Sequence, residues 1–216
     1  MKKLFFFFIS VSALILSCKK DKEIENIPPQ TLTQSYGKVT EWYPLSVGSY
    51  WVYYDYIIDT NQNEQYFRTD TVKIIGDTNI NSRTFTWIKE QYFGGPSYYN
   101  RFVADSLDYI IAENGEVLFS NTNFTDTIRT LFYPGLETIY YKMSDRGTIA
   151  SVAAGVFPTI DRDEITVYDH PFTFGGNPRI VQRNFAKGIG IVKDRNFFDG
   201  NPNYMERRLV QYHIAQ

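Results

Sequence analysis

Apolar and polar residues alternate along most of the chain beyond residue 48, a pattern that predicts strands rather than helices. Ser49–Ile58 is an aromatic and β-branched run, Arg83–Lys89 alternates with a period of two, and Arg68–Gly76 does so in its second half. Successive side chains of a strand point to opposite faces of a sheet, so this alternation is typical of a half-buried sheet. Further candidate strands are Tyr98–Ala104, Leu107–Ala112, Glu116–Phe119, Thr125–Phe132, Thr138–Met143, Glu164–Tyr168, Ile180–Ala186, Gly190–Arg195 and Met205–Ile214.

Short turn signals separate these strands, and no segment after residue 17 predicts a helix of about 12 residues. Glu113–Gly115, Asp145–Gly147 and Asp199–Pro202 carry the Asn, Asp, Gly and Pro residues that turns favour. Consecutive strands joined by short loops predict an all-β antiparallel meander. Such a sheet must curve into a half-barrel or close into a lipocalin-like barrel to cover its apolar face.

The N-terminus has the pattern of a secreted protein. Met1–Lys3 is basic and Leu4–Leu16 is apolar, a run too short to span a bilayer comfortably. The run ends in Ile15–Cys18, which resembles the lipobox of bacterial lipoproteins. The resemblance implies that residues 1–17 are a signal peptide and that Cys18, the chain's single cysteine, is acylated. An uncleaved anchor and an ordinary signal peptide followed by a free thiol are the alternatives.

We expect residues 18–39 to be a flexible tether and residues 40–216 to be a single β domain. Lys19–Glu23 is charged and Pro28-Pro29 follows, a composition that does not form a core. Acylated Cys18 would bind membrane lipid and place the protein in the outer membrane. The charged stretch after Cys18 resembles the surface-export signal of Bacteroidetes lipoproteins, so the domain faces either the cell surface or the periplasm.

The charge balance argues against nucleic acid as a partner. Of 22 Lys and Arg residues, Lys2 and Lys3 leave with the signal peptide, and 20 remain against 24 Asp and Glu residues. A mildly acidic domain without a basic run lacks the cationic surface that binds the phosphate backbone.

Four segments resemble an uncharacterised family of Bacteroidetes lipoproteins. Tyr43–Tyr53 is similar to its PLxxGNxWxY opening, Val152–Phe157 to its VxAGxF segment, Lys187–Lys193 to KGIGLVK and Leu209–Ile214 to the closing LxxYxI strand. The resemblance implies a curved antiparallel sheet, like that of lipoprotein carriers, and assigns no activity. Independently, Gly188 and Gly190 would let an aromatic ring or a ligand approach one strand closely, and Ala153–Gly155 suggests a tight crossing or a bulge.

Little in the sequence indicates catalysis. It has two histidines, His170 and His213, and lacks the common nucleophile, zinc-protease and phosphate-loop motifs. We therefore predict no catalytic residue, no cofactor and no metal site. Asp59–Glu64 begins like a calcium loop but has Glu64 where the sharp turn needs glycine, so we expect a hairpin. Asp161–Glu164 carries three carboxylates around an arginine, and we expect a solvated edge there.

The excess of aromatic residues supports two binding hypotheses. The candidate ligand contacts are Trp51, Trp87, Tyr98, Tyr99, Phe197 and Phe198. Binding of an apolar or amphiphilic ligand predicts a concavity lined by Trp51, Phe85, Trp87 and Tyr109. The alternative is a surface module that binds a glycan or an envelope protein through exposed aromatic loops. These loops would instead be structural if they folded over an open barrel end.

Overall fold

A computed structural model describes residues 36–91, 96–170, 177–198 and 201–216, all within one compact unit, Ser35–Gln216. Cys18 and the predicted tether up to residue 35, Tyr92–Gly95 and part of the loop after Phe198 lie outside the described residues. The elements are α1 (Val39–Trp42), β1 (Tyr50–Ile58), β2 (Glu64–Ile80), β3 (Arg83–Gln91), β4 (Tyr98–Ser106), β5 (Tyr109–Ala112), β6 (Val117–Ser120), β7 (Thr127–Tyr133), β8 (Glu137–Val152), β9 (Gly155–Tyr168), β10 (Arg179–Ala186), β11 (Gly190–Phe197) and β12 (Tyr204–His213).

All twelve strands form a single antiparallel sheet that curves into a nearly closed barrel. Its order is β6-β5-β4-β3-β2-β1-β12-β11-β10-β9-β8-β7, so the first and last strands pair in the middle. The edges β6 and β7 meet at a seam without ladder pairing, where Arg129 on β7 forms an ion pair with Glu116, just before β6, at 2.6 Å. The prediction of an all-β meander curved into a barrel is confirmed.

The short helix α1 packs at the end of the barrel where β1 begins. Val39 and Trp42 are buried in the core, and the Trp42 indole donates to the Tyr36 carbonyl at 2.7 Å. The Gly188 N–H donates to the Glu41 carbonyl at 2.5 Å, which ties the helix to the β10–β11 turn. The predicted tether therefore extends too far, because residues 36–39 belong to the folded unit.

The long β8–β9 hairpin differs from the sequence expectation. Asp145–Gly147 is not a turn between strands but a register irregularity inside β8, between Ser144 and Thr148. The hairpin turns at Ala153-Ala154, where Val152 pairs with Gly155. The predicted crossing or bulge at this position is therefore a tight turn, because the alanines connect two strands that pair with each other.

The inner face of the barrel holds one hydrophobic core, to which β1, β3, β5, β10 and α1 all contribute. Gly190 allows a close approach there, since a Cβ at this position would lie 3.3 Å from Pro44 and 3.7 Å from the Trp51 indole. The predicted ring beside the glycines is thus Trp51, at Gly190 only, whereas Gly188 occupies the preceding turn with φ +78°. No helix among the described residues is long and apolar enough to cross a membrane.

Candidate binding cleft on the inner face

The inner face contains two adjoining cavities of different chemistry. The smaller, about 60 Å³, is lined by rings and aliphatic side chains and also by charged residues, among them Glu90, Asp194 and Arg207; it is called the aromatic cavity. The larger, about 410 Å³, is called the arginine cavity, and it lies at the seam between β6 and β7. Both are lined by Tyr99, Arg101 and Arg183. They therefore form one cleft with an apolar part and a polar part.

Two rings that line the aromatic cavity have their polar atoms bonded to the backbone, whereas the buried Tyr43 hydroxyl has no hydrogen-bond partner among the described residues. The Trp51 indole donates to the Ile189 carbonyl at 2.6 Å, and the Tyr53 hydroxyl donates to the Ile191 carbonyl at 2.9 Å. Val72 and Ile88 complete the apolar wall. Since these ring donors have partners, the rings offer apolar surface to a ligand.

A row of charged residues crosses six neighbouring strands on the inner face. Each member pairs with the next in the strand register: Arg162 on β9, Arg183 on β10, Asp194 on β11, Arg207 on β12, Asp55 on β1 and Arg68 on β2. Buried charges are stable only when they are paired and hydrogen-bonded. The partners of each residue therefore decide its role.

The β12–β2 part of this row is well compensated. Asp55 is fully buried and accepts from the Nε atoms of Arg207 at 3.0 Å and Arg68 at 3.1 Å. Asp70 lies two residues after Arg68 on β2. It accepts from Arg207 and, at 3.4 Å, from Arg68. Two carboxylates and two guanidinium groups thus form a closed buried network.

The β9–β10 part of the row places two cations side by side. Arg162 is only 9% exposed, donates from Nη1 to the Leu118 carbonyl at 2.8 Å, and pairs across the ladder with Arg183. Arg183 donates to Asp194 at 2.6 Å. Burial, and then repulsion from Arg183, lower the pKa of Arg162 to about 10. Like charges directly opposite each other destabilise a sheet.

Two further arginines complete the wall of the arginine cavity. Arg101 is 3.3 Å from Glu90, which also accepts from the Tyr99 hydroxyl. The Tyr141 ring has the guanidinium carbons of Arg129 and Arg162 each 5.1 Å from its centroid. Within the described part of the chain, the buried Nε atoms of four cavity arginines have no hydrogen-bond partner: Arg101, Arg129, Arg162 and Arg183.

The carboxyl group of Glu164 lines the same cavity near Arg162 and Arg183. Its pKa is raised, because burial disfavours the carboxylate more than the attraction of Arg162 and Arg183 favours it. Glu90 and Glu116 are already engaged by Arg101 and Arg129. The polar part of the cleft is therefore rich in incompletely paired donors.

The outer face carries a separate charged cluster that is closed. Glu206 is fully buried and forms ion pairs with Lys193 at 3.2 Å, Arg208 at 2.6 Å and Arg195. Although burial opposes it, hydrogen bonding from Arg195 lowers the pKa of Glu206. Arg208 also pairs with Glu64, so the cluster joins two carboxylates and three cations.

The structure places the predicted ligand contacts on different faces. Trp51 and Tyr99 line the cleft. Trp87 lies on the outer face, against the Phe102 ring at 5.8 Å. Strand alternation also places Phe85 and Tyr109 on the outer face, because Ile88, three positions after Phe85, and Ile110, next to Tyr109, point into the core. The expected concavity with all four aromatic residues is therefore wrong except for Trp51.

The remaining predicted contacts do not reach the cleft. Tyr98 is 57% exposed, and strand alternation directs its side chain away from the face that holds Tyr99. Phe197 packs against Tyr168 with the guanidinium carbon of Arg179 4.3 Å from its ring centroid. The Phe198 carbonyl accepts from Arg179 at 3.2 Å. Arg179 therefore contacts both Phe197 and Phe198 at the end of β11.

The charged run Asp161–Glu164 is the main site feature that the sequence analysis misjudged. It is not a solvated edge, because Asp161, Arg162 and Asp163 are buried in the middle of β9 between two partner strands. Alternation along the run was visible in the sequence. That Arg162 would face Arg183 depends on the strand register, which the sequence alone does not specify.

The histidines show no arrangement for acid–base chemistry. His170 is exposed, and His213 is exposed and stacks on Tyr50 with ring centroids 5.7 Å apart. In the described ranges, no group of three or more His, Cys, Asp or Glu side chains is placed to hold a metal ion. At Asp59–Glu64, the Asp59 carboxylate accepts from the backbone N–H groups of Asn61 and Asn63, as in a capped hairpin turn.

The chain matches no known protein-family model and no curated protein. Two solved structures resemble it. An exported protein with a YmcC-like fold from Bacteroides fragilis is 10% identical with a TM-score of 0.46, over 79% of this chain and 97% of that one. A lipoprotein from Parabacteroides distasonis is 11% identical with a TM-score of 0.37 over the same shares.

Proposed function

We propose that this chain is a bacterial lipoprotein whose β domain binds a small amphiphilic ligand and catalyses no reaction. In this proposal residues 1–17 are removed and Cys18 is acylated, which holds the domain at the outer membrane. Stable anchoring takes two acyl chains or more, as lipoprotein modification supplies. The basic start, the apolar run and the single cysteine at its end support this part of the proposal.

One observation supports an amphiphilic ligand: a cavity lined by Trp51, Tyr53 and Ile88 adjoins a cavity lined by arginines. Binding sites are mostly apolar, with a few polar groups that fix the ligand's orientation. Because the aromatic cavity is small and the arginine cavity is larger and polar, the cleft suits an amphiphile with a slender apolar part. A purely apolar ligand would desolvate the arginines and leave their Nε donors without partners.

The alternative, a surface module that binds a glycan or an envelope protein, draws its support from Tyr98. This side chain is the most exposed of the predicted contacts and lies where β4 begins, at the barrel end where β11 finishes. Phe197, by contrast, is packed beneath Arg179. Of Tyr98, Phe197 and Phe198, the predicted contacts outside the cleft in or beside these loops, Tyr98 is therefore the one that the structure shows exposed.

Native mass spectrometry of the full-length chain, extracted gently from cells, tests the ligand hypothesis. We expect an adduct of small-amphiphile mass that persists through purification and disappears in Ile88→Trp, which fills the aromatic cavity. Val156→Trp adds the same side chain at an exposed position and is the matched control. An empty wild-type protein that also fails to bind added dodecyl compounds would refute the proposal.

The anchor is tested separately. Cys18→Ser should move the protein from the membrane fraction to the soluble fraction, and the wild-type N-terminal peptide should carry the mass of the acyl chains. Protease treatment of intact cells distinguishes the two orientations, since only a surface-facing domain is digested.

A further inference from the structure

The cross-strand pair of Arg162 and Arg183 is the least compensated charge arrangement on the inner face. Elsewhere in the charged row each arginine pairs with a carboxylate across the ladder, as Arg207 does with Asp55. Here two guanidinium groups oppose each other, and a like-charged pair in this position is destabilising. An anion between them would supply the missing charge.

The hydrogen-bonding state of these arginines supports the same ligand. Arg162 is nine-tenths buried, and its Nε has no partner among the described residues. The Nε atoms of Arg183, Arg101 and Arg129 likewise have no partner among the described residues, and these arginines line the same cavity. Guanidinium groups bind carboxylate and phosphate in a planar, often bidentate geometry. Four of them around about 410 Å³ form a built site for such a group.

The carboxylates of the cavity do not fill this role. Glu90 accepts from Tyr99 and pairs with Arg101, and Glu116 pairs with Arg129. Asp194 pairs with Arg183 at 2.6 Å, and Glu164 forms no ion pair with Arg162 or Arg183 among the described residues. Arg162 is therefore the cavity arginine without an ion pair in this part of the chain, and an incoming anion would join it to Arg183.

We infer that the arginine cavity binds the anionic head group of the amphiphile, a phosphate or a carboxylate, with Arg162 and Arg183 as its main ligands and Arg101 and Arg129 beside them. This inference rests on the proposed function and specifies the ligand of the same cleft. The apolar part of the ligand extends from the head group past Tyr99 into the aromatic cavity, since Tyr99 lines both cavities.

Competition among three probes tests the inference on the detergent-solubilised full chain, with bound masses read by native mass spectrometry. Dodecyl phosphate has the apolar tail and the anion, dodecanol has the tail alone, and inorganic phosphate has the anion alone. We expect dodecyl phosphate to bind at least about tenfold more tightly than dodecanol, the size of one charge-assisted hydrogen bond.

Variants identify the residues responsible. Arg162→Met should abolish the preference for dodecyl phosphate and leave dodecanol binding unchanged. Arg83→Met removes the same charge at an exposed position and should match the wild type. If circular dichroism shows that Arg162→Met is unfolded, Arg129→Met at the half-exposed seam takes its place, with an expected loss of several-fold in the preference.

Each outcome tests a different part of the proposal: the head group, the amphiphile or the assigned residues. Equal binding of dodecyl phosphate and dodecanol overturns the anionic head group and leaves the proposed function standing. Binding of inorganic phosphate that depends on Arg162, without binding of either dodecyl compound, keeps the anion site and overturns the amphiphile. A preference that survives both arginine substitutions overturns the assignment of the residues.

Discussion

The two parts of the charged row on the inner face contain the same residue types but differ in how their charges are paired. Across β12, β1 and β2, Arg207 and Arg68 surround Asp55 and Asp70 in a closed network. Across β9 and β10, Arg162 and Arg183 face each other with one carboxylate, Asp194, between Arg183 and the rest of the row. In the first part the arginines and the carboxylates pair with one another. In the second part the Nε donors of Arg162 and Arg183 have no hydrogen-bond partner among the described residues.

This difference predicts which charged residues of the row contribute to stability and which contribute to ligand binding. A closed buried network is strongly disrupted when one partner is removed, because the remaining charge stays buried and unpaired. A like-charged pair has a destabilising term of its own, so removing one member should cost little stability. Substitutions in the two parts should therefore affect different measurements.

The largest effect is expected from Asp55→Asn. This change removes the charge that holds Arg207 and Arg68, and it should lower the free energy of unfolding by about 3–5 kcal/mol. Urea denaturation of the full chain measures it, with the exposed Asp108→Asn as the matched control. A loss below about 1 kcal/mol would mean that the network contributes no stability.

A smaller, pH-dependent effect is expected from Glu206→Gln in the outer-face cluster. Losing its charge-assisted hydrogen bonds should cost about 1.5–3 kcal/mol at pH 7. Because the folded pKa of Glu206 lies below its ordinary value of 4.5, its contribution is complete above that pH and is lost as the pH falls through the folded pKa. Denaturation of both proteins at several pH values should show the gap narrowing in acid. A gap that widens in acid contradicts the assignment.

Arg162→Met should change stability by less than about 1 kcal/mol, since the relief of repulsion from Arg183 offsets the lost hydrogen bond to the Leu118 carbonyl. Urea denaturation without added ligand measures this. A loss comparable to that of Asp55→Asn would show that the two parts of the row are equivalent.

The smallest effect is expected from Tyr98→Ser. Its exposed side chain lies outside the cleft, so the free energy of unfolding should stay within about 0.5 kcal/mol of the wild type. Ligand binding in the native mass spectrum should be unchanged. A lost adduct would instead favour the hypothesis that the aromatic loops bind the ligand.

The fold could be predicted from local pattern because apolar and polar residues alternate along the strands. The run from Ser49 and the run at Arg83–Lys89 correspond to β1 and β3. The sequence did not reveal that β8 and β9 extend to the turn at Ala153-Ala154, because Asp145–Gly147 has a turn composition although it lies within a strand.

The site was predictable only in part, since it depends on which strands become neighbours. Trp51 and Tyr99 were identified from their aromatic character, and both line the cleft. Trp87 has the same character but lies on the other face, because a displacement of one residue along a strand reverses the direction of a side chain. Arg162 and Arg183 are 21 positions apart in the chain and attract notice only once β9 and β10 are paired.

The unpaired seam between β6 and β7 limits how the barrel can open. Every other neighbouring pair of strands is joined by a ladder of backbone hydrogen bonds, and such ladders resist separation of the two strands. Glu116 and Arg129 stand on either side of the seam and also line the arginine cavity. Lateral opening of the wall should therefore be concentrated beside the arginine cavity, and hydrogen exchange should show the backbone amides of β6 and β7 exchanging with solvent before those of β1 and β12.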